Sequence, residues 1–208
     1  MDFKAFDKVS YGLYLISTKA GDKTAGCVVN TFGQVTVTPT QVTVAVNKQN
    51  CTAKLIEQSG VFSAVVLAQD ASMELIGAFG FHSSEEKDKF QDFSCAFDKN
   101  GIPYVSEQAV ARFCCRVVNT MDAGTHLIFL AEVEEAALLK DAEPMTYAYY
   151  HLVKKGVTPP KASSYQPKAV KGWRCKVCGY VLESDTIPDD FVCPVCGQGR
   201  EQFEQIFE

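Results

Sequence analysis

Two Cys-x-x-Cys pairs near the C-terminus constrain this chain more than any other feature. They read Cys175-Lys176-Val177-Cys178-Gly179-Tyr180 and Cys193-Pro194-Val195-Cys196-Gly197. Each pair can turn back so that both thiolates face one ion, and the glycine that follows permits a positive φ where the turn ends. Four thiolates in a tetrahedron select zinc or iron. The spacing is strong evidence for a metal and leaves open which of the two it is. The unit that carries them, residues 171–208, is too short to build a good core alone, and a bound metal would solve that problem.

The other five of the nine cysteines, Cys27, Cys51, Cys95, Cys114 and Cys115, are scattered through apolar segments. An odd count in this arrangement points to metal binding and buried small hydrophobes, not to a disulfide framework. Cys114 and Cys115 are neighbours on an expected strand and so point to opposite faces, which disfavours a bond between them. The formal net charge of −5 argues against a nucleic-acid partner, which needs clustered Lys and Arg. Tyr11–Ile16 is too short an apolar stretch for a signal-peptide core or a spanning helix. A cytoplasmic protein without a membrane partner is the expectation.

With 47% hydrophobic residues, the 208-residue chain can bury one sizeable core beside the small unit. Residues 1–155 read as mainly β. Strands are expected at Val28–Phe32, Val35–Val37, Val42–Val46, Val61–Leu67, Ala109–Val118 and His126–Val133, rich in Val, Ile, Thr and aromatics. Several alternate polar and apolar residues, the period of a strand with one buried face. Short helices are expected after Asn50 and over about Ser72 to Phe79. Many strands with few helices suggest a barrel. Residues 156–170 hold Pro, Gly, Ser and Lys without an apolar period, the composition of a linker.

The C-terminal segment resembles rubredoxin. Trp173 stands two residues before the first cysteine, Gly179-Tyr180 follows the first pair, Pro188-Asp189-Asp190-Phe191-Val192-Cys193-Pro194 leads into the second, and Phe203 lies in an acidic tail. The resemblance implies one iron held by Cys175, Cys178, Cys193 and Cys196, an aromatic shell of Trp173, Tyr180, Phe191 and Phe203, and electron transfer as the function. It also implies that Cys178 and Cys196 lie nearer the surface. The stretch from Gly179 to Val192 is shorter than in most stand-alone rubredoxins. Seven acids against four bases give the unit a net −3, suited to brief docking on a basic partner or simply to a solvated surface.

An iron that carries one electron needs a source. No Gly-x-Gly-x-x-Gly and no alternation of strand and helix supports a Rossmann nucleotide site. The helix that opens at Asn47-Lys48-Gln49-Asn50-Cys51-Thr52 offers free amides, Lys48 and the Thr52 hydroxyl to an anion such as a phosphate. An ordinary Asn cap with a solvated Lys explains the same residues. Residues 9–160 further resemble the flavin-reductase family of FMN-binding split β-barrels. The resemblance runs through Gly26–Thr36 with Pro39, Val42–Thr52, Ser59–Leu67, Lys87-Asp88-Lys89-Phe90 and Tyr147–His151. It implies Asn30, Thr31 and Gln34 along the isoalloxazine edge, Asn47, Lys48, Asn50 and Thr52 around the phosphate, and Ser83 or Lys87 closing the site. It places the flavin at a homodimer interface. His151 matches a His near the nicotinamide side in some relatives, and a packed His at a strand end is the other reading. His82 and His126 read as structural.

The two halves together resemble the high-molecular-weight rubredoxins. That resemblance implies an NAD(P)H-dependent reductase whose acceptor is a flavodiiron protein that reduces oxygen or nitric oxide. The order NAD(P)H, FMN, iron is chemically sensible, since a hydride carries two electrons and flavin releases them singly. The three prolines of the linker would let the small unit swing between flavin and partner. Two alternatives remain: a flavin reductase that supplies reduced flavin to a monooxygenase, and a non-enzymatic zinc-stabilised binding module.

Overall fold

The computed structural model describes residues 1–159, 161–165 and 171–207. Pro160 and residues 166–170 of the expected linker, and Glu208 of the expected metal unit, lie outside the described residues.

In chain order the elements are β1 (Tyr14–Ala20), β2 (Lys23–Val29), β3 (Gly33–Val37), β4 (Thr40–Asn47), α1 (Cys51–Ser59), β5 (Val61–Leu67), α2 (Met73–Phe81), β6 (Cys95–Phe97), β7 (Pro103–Val105), β8 (Ala109–Asp122), β9 (His126–Leu138), α3 (Tyr147–Leu152), β10 (Lys171–Cys175), β11 (Val181–Leu182) and β12 (Phe203–Phe207). Seven strands form one antiparallel sheet in the order β2-β1-β5-β8-β9-β4-β3. The sheet wraps a core that contains Ile16, Val42, Val44, Val46, Phe62, Ala64 and Phe129, and Ala53 and Ile56 of α1 close it. Along β4 burial alternates from Val42 to Val46, as the sequence pattern requires. The fold is mainly β, the split barrel expected from the sequence.

A second core lies on the other side of the sheet. Leu15, Leu67, Leu75, Ile76, Phe79, Met145 and Tyr150 continue without a break into Cys175, Cys178, Ile187, Cys193 and Phe203 of the small metal unit. That unit is a three-stranded sheet, β11-β10-β12. Phe191 and Phe203 meet edge to face at 5.3 Å beneath it.

Some expectations need correction. The strand expected at Val28–Phe32 begins at Lys23 and ends at Val29. His151 lies in α3, not at a strand end. Cys114 and Cys115 are free and buried, so both act as small hydrophobes, while Cys51 and Cys95 are only half-buried. Among the described residues no helix is long and apolar enough to cross a membrane.

Candidate functional site

The metal end is built from two matching turns. Gly179 N–H donates to the Cys175 carbonyl and Gly197 N–H to the Cys193 carbonyl, each at 2.9 Å. Cys175 N–H donates to Tyr180 O at 2.8 Å, and Cys193 N–H to Gln198 O at 2.7 Å. Gly179 and Gly197 sit at φ 75° and 72°, which is why both turns carry glycine at that place. The turns bring four sulfurs together, all within 4.8 Å of one another. Cys175 and Cys196 Sγ are 3.6 Å apart, and Cys178 and Cys193 Sγ 3.5 Å. A tetrahedron with metal–sulfur bonds of about 2.3 Å has edges of about 3.8 Å. The four thiols therefore fit one zinc or iron ion with little adjustment.

The thiols differ in their surroundings. Burial pushes Cys178 up and Cys196 up to about 11. Burial also opposes ionisation of Cys193, but the amides of Cys196 and Val195, together with the Cys178 and Cys196 thiols, hold it below the usual range. Backbone amides reach three sulfurs: that of Tyr180 faces Cys178, and that of Gln198 faces Cys196. Such N–H···S contacts favour the thiolate a metal needs. The expectation that Cys178 and Cys196 both lie near the surface holds only for Cys196. Cys178 is 1% exposed, because α2 covers its turn.

The barrel carries one large cleft beside α1 and α2. The N-terminus of α1 forms one end. Asn50 is its extended cap residue, yet its side chain takes no capping hydrogen bond, and the first turn holds no acid. Burial pushes the Cys27 thiol up, and the neighbouring Thr52 and Asn50 side chains oppose that rise. Ser83, Ser84 and Lys89 also line the cleft, and the adjoining Glu85 is tied to α1 by an ion pair with Lys54 at 3.0 Å. Ser84 Oγ accepts from Gly26 N–H at 3.2 Å, and Glu85 N–H donates to Ser83 Oγ at 3.1 Å.

Lys89 is the residue that sequence reasoning missed. It is 4% exposed and lines the cleft. Its ammonium donates to the His82 carbonyl at 3.0 Å and lies 5.0 Å from the Phe79 ring. Among the described residues no ion pair holds it. Burial lowers its pKa to about 8. Glu86 also lines the cleft, and its charge favours the ammonium without pairing with it. A buried cation with no ion pair, beside free helix amides and neutral hydroxyls, fits a phosphate. Lys87, two residues earlier, pairs instead with Asp92 at 2.5 Å outside the cleft. The signal was present in Asp88: its carboxylate accepts from Phe90 N–H and turns Lys89 and Phe90 inward together.

Of the other expected flavin residues, Asn30, Thr31, Asn47, Asn50, Thr52 and Ser83 line the cleft. Gln34 and Lys48 do not. Gln34 lies on exposed β3, and Lys48 pairs with Asp122 at 2.6 Å. His82 and His126, expected to be structural, both line the cleft. His151 does not; its Nδ1 meets the Gly156 carbonyl at 2.8 Å and its ring packs edge-on against Tyr147 and Tyr150.

The start of the expected linker is fastened down. Tyr150 O–H donates to Val157 O at 2.9 Å, and Tyr147 Oη meets Thr158 Oγ1 at 2.7 Å. Asn47 Nδ2 donates to Lys161 O at 3.3 Å. Asn30 exchanges hydrogen bonds with Ser163 and Ser164 at 3.1 and 3.0 Å. Pro159, Lys161, Ala162 and Ser163 thus form a wall of the cleft. With Val28, Val29, Phe79 and Phe81 they give it an apolar side next to the polar end, a division that suits a flavin nucleotide.

Comparison with known proteins agrees with this geometry. Residues 6–156 match the family described as flavin reductase like domain, and residues 173–204 match the rubrerythrin, rubredoxin-like domain. The chain is 39% identical to a high molecular weight rubredoxin from Moorella thermoacetica, over 99% of this chain and 100% of that protein. It is 44% identical to a ferric-chelate reductase (NAD(P)H) from Archaeoglobus fulgidus, over 79% of this chain and 98% of that protein. Among solved structures, the NADH:FAD oxidoreductase SgcE6 from Streptomyces globisporus, in complex with NAD and FAD fragments, superposes with a TM-score of 0.62 at 23% identity, over 70% of this chain and 85% of that one. That likeness speaks for the fold. The chain belongs to the flavin reductase like family and joins to that domain a C-terminal rubredoxin-like domain.

Proposed function

We propose that this protein passes electrons from NAD(P)H through a bound FMN to an iron held by Cys175, Cys178, Cys193 and Cys196, and from there to an acceptor protein, a flavodiiron reductase of oxygen or nitric oxide. One observation carries the reading. The side chain of Phe81 lines the cleft, whose polar end suits a phosphate, and packs on Gly179, the residue that follows the ligand Cys178. NAD(P)H as donor is taken over from the ferric-chelate reductase, and the iron from the rubredoxin-like domain. We divide the chain into a flavin domain (1–155), a connecting segment (156–170) and an iron domain (171–208), in a cytoplasmic homodimer.

When bound, the flavin accepts a hydride and releases its electrons one at a time, which suits a one-iron acceptor. The residues around it hold and orient it. Lys89, the α1 amides, Asn50, Thr52 and Ser83 bind the phosphate; Asn47 grips the wall segment through Lys161 O. Asn30 and Thr31 present polar edges to the ring. Thr31 Oγ1 is fixed by donating to Ala45 O at 2.8 Å. His151 holds Gly156, and so the start of the wall.

The test is an anaerobic absorption spectrum before and after NADH or NADPH is added. Flavin and ferric-thiolate bands that both bleach are expected. A colourless protein that refuses flavin and iron on reconstitution would overturn the reading and leave a zinc-stabilised module. Flavin lost on gel filtration would instead favour a supplier of free reduced flavin.

A second copy belongs to this reading. On β3, Val35 and Val37 are 51% and 74% exposed, an apolar sheet edge that also carries Gln34. Light scattering is expected to give about twice the 22.8 kDa chain mass. A monomer that holds FMN tightly would remove the partner, and Gln34 with it, from the site.

A further inference from the structure

The face by which the iron domain meets the barrel is built around a missing side chain. A Cβ on Gly77, in the middle of α2, would lie 1.9 Å from the Val177 carbonyl oxygen and 2.9 Å from its carbon. Both are backbone atoms of the first Cys-x-x-Cys turn, so they cannot swing away. The next contact on the same line is Cys178 Cα at 3.6 Å. Glycine within a helix costs about 1 kcal/mol relative to alanine, and nothing inside α2 needs it: the helix is regular from Met73 to Phe81. The close approach of the cysteine turn is what the glycine permits. One helical turn on, Phe81 fills the other side of the contact, since a Cβ on Gly179 would lie 2.2 Å from its ring. Val157 of the connecting segment completes the seat at 2.9 Å from the same position.

This contact makes the two ends of the thiolate cluster unequal. Cys178 is buried against α2, and Cys196 remains partly exposed. The cleft lies behind Phe81, on the Cys178 side.

We propose that the Gly77 notch of α2 is the docking seat through which the iron domain is loaded, with Cys178 as the ligand that receives electrons from the flavin cleft and Cys196 as the ligand that faces the acceptor. The proposal rests on the reading above, that the cleft holds a reducible flavin and the thiolates hold iron. Each transfer moves one electron: the reduced flavin is oxidised by one electron, ferric iron becomes ferrous, and no bond between heavy atoms forms or breaks. The proton set free goes from the flavin to solvent. Gly77 touches neither flavin nor iron; it is a positioning residue for the dock.

The test uses the full-length, iron- and flavin-loaded protein with Gly77→Ala and Gly77→Leu. Alanine strengthens the helix, so it separates docking from folding. Two readouts are taken. Small-angle scattering of the oxidised protein, which needs no turnover, is expected to show a larger radius of gyration in both variants, with faster proteolysis at Val157 and Thr158. In anaerobic stopped flow with NADH, flavin bleaching is expected at the wild-type rate, while iron bleaching slows at least tenfold, more for leucine than for alanine. Iron bleaching at the wild-type rate in both variants, or unchanged scattering, overturns the dock and leaves the flavin-to-iron reading intact. A wild-type protein whose flavin bleaches but whose iron does not would overturn that reading first, and the dock with it.

Discussion

Replacing Cys178 by serine is expected to abolish the ferric-thiolate absorption, unfold the C-terminal unit and stop electron delivery to an acceptor protein, while NADH still bleaches the flavin. The physical reason lies in size. The unit from Lys171 onward has a three-stranded sheet and few large buried side chains, chiefly Ile187 and Phe203 beside the cysteines themselves. Units of this size draw their stability from the metal. If four thiolates share the roughly 10–16 kcal/mol of a structural metal site, one ligand is worth about 3 kcal/mol or more, at least about a hundredfold in metal affinity. Cys178 should be costlier than Cys196. Its side chain is sealed against α2, so a serine hydroxyl there stays buried and no water replaces the lost ligand. Metal content, visible absorption and turnover with an added acceptor protein are the measurements. Retained acceptor turnover in a metal-free C178S protein would show that the thiolates are not on the electron path.

How much of this could be read from the sequence depends on whether the signal was local. The cysteine turns were legible because spacing, trailing glycine and flanking aromatics all lie within a few residues, and the structure does bring the four thiols together. The strands β4 and β5 were legible because alternation or β-branched runs mark them. β1 was not recognised as a strand: Leu15, Ile16, Ser17 and Thr18 are buried in succession, on both faces of the sheet, and such a run lacks the period-two pattern. α3 was hidden in an aromatic stretch whose packing against Gly156 and Val157 is tertiary. The cover over Cys178 was illegible for the same reason. Gly77 reads as a weak helix residue until the chain 100 residues later is laid against it. Lys87 and Lys89 look equivalent in sequence, and only the Asp88 turn decides which one points inward.

That inward lysine gives the second large effect. Lys89→Met is expected to weaken FMN binding about a hundredfold or more, because removing one partner of a buried ion pair costs about 3–5 kcal/mol. Riboflavin, which has the same ring and no phosphate, should bind the variant nearly as it binds the wild type. The flavin-free protein should respond in the opposite sense. Burial holds Lys89 down at about 8, so at neutral pH the folded chain carries a desolvated cation that the unfolded chain does not. Below pH 8 both states hold the proton and the penalty is full. Between about 8 and the ordinary lysine value near 10.4 the unfolded state binds more protons, so stability rises with pH there. Methionine removes the charge and keeps the stem that packs on Phe79. Flavin-free K89M should therefore melt higher than the wild type at pH 7, and its melting temperature should lack the wild type's rise above pH 8. Titrations with FMN and riboflavin, and melting curves from pH 7 to 10, check both halves. Equal losses for FMN and riboflavin would move Lys89 away from the phosphate. A flavin-free variant that melts lower at pH 7 would mean that the hydrogen bond to His82 O outweighs the buried charge.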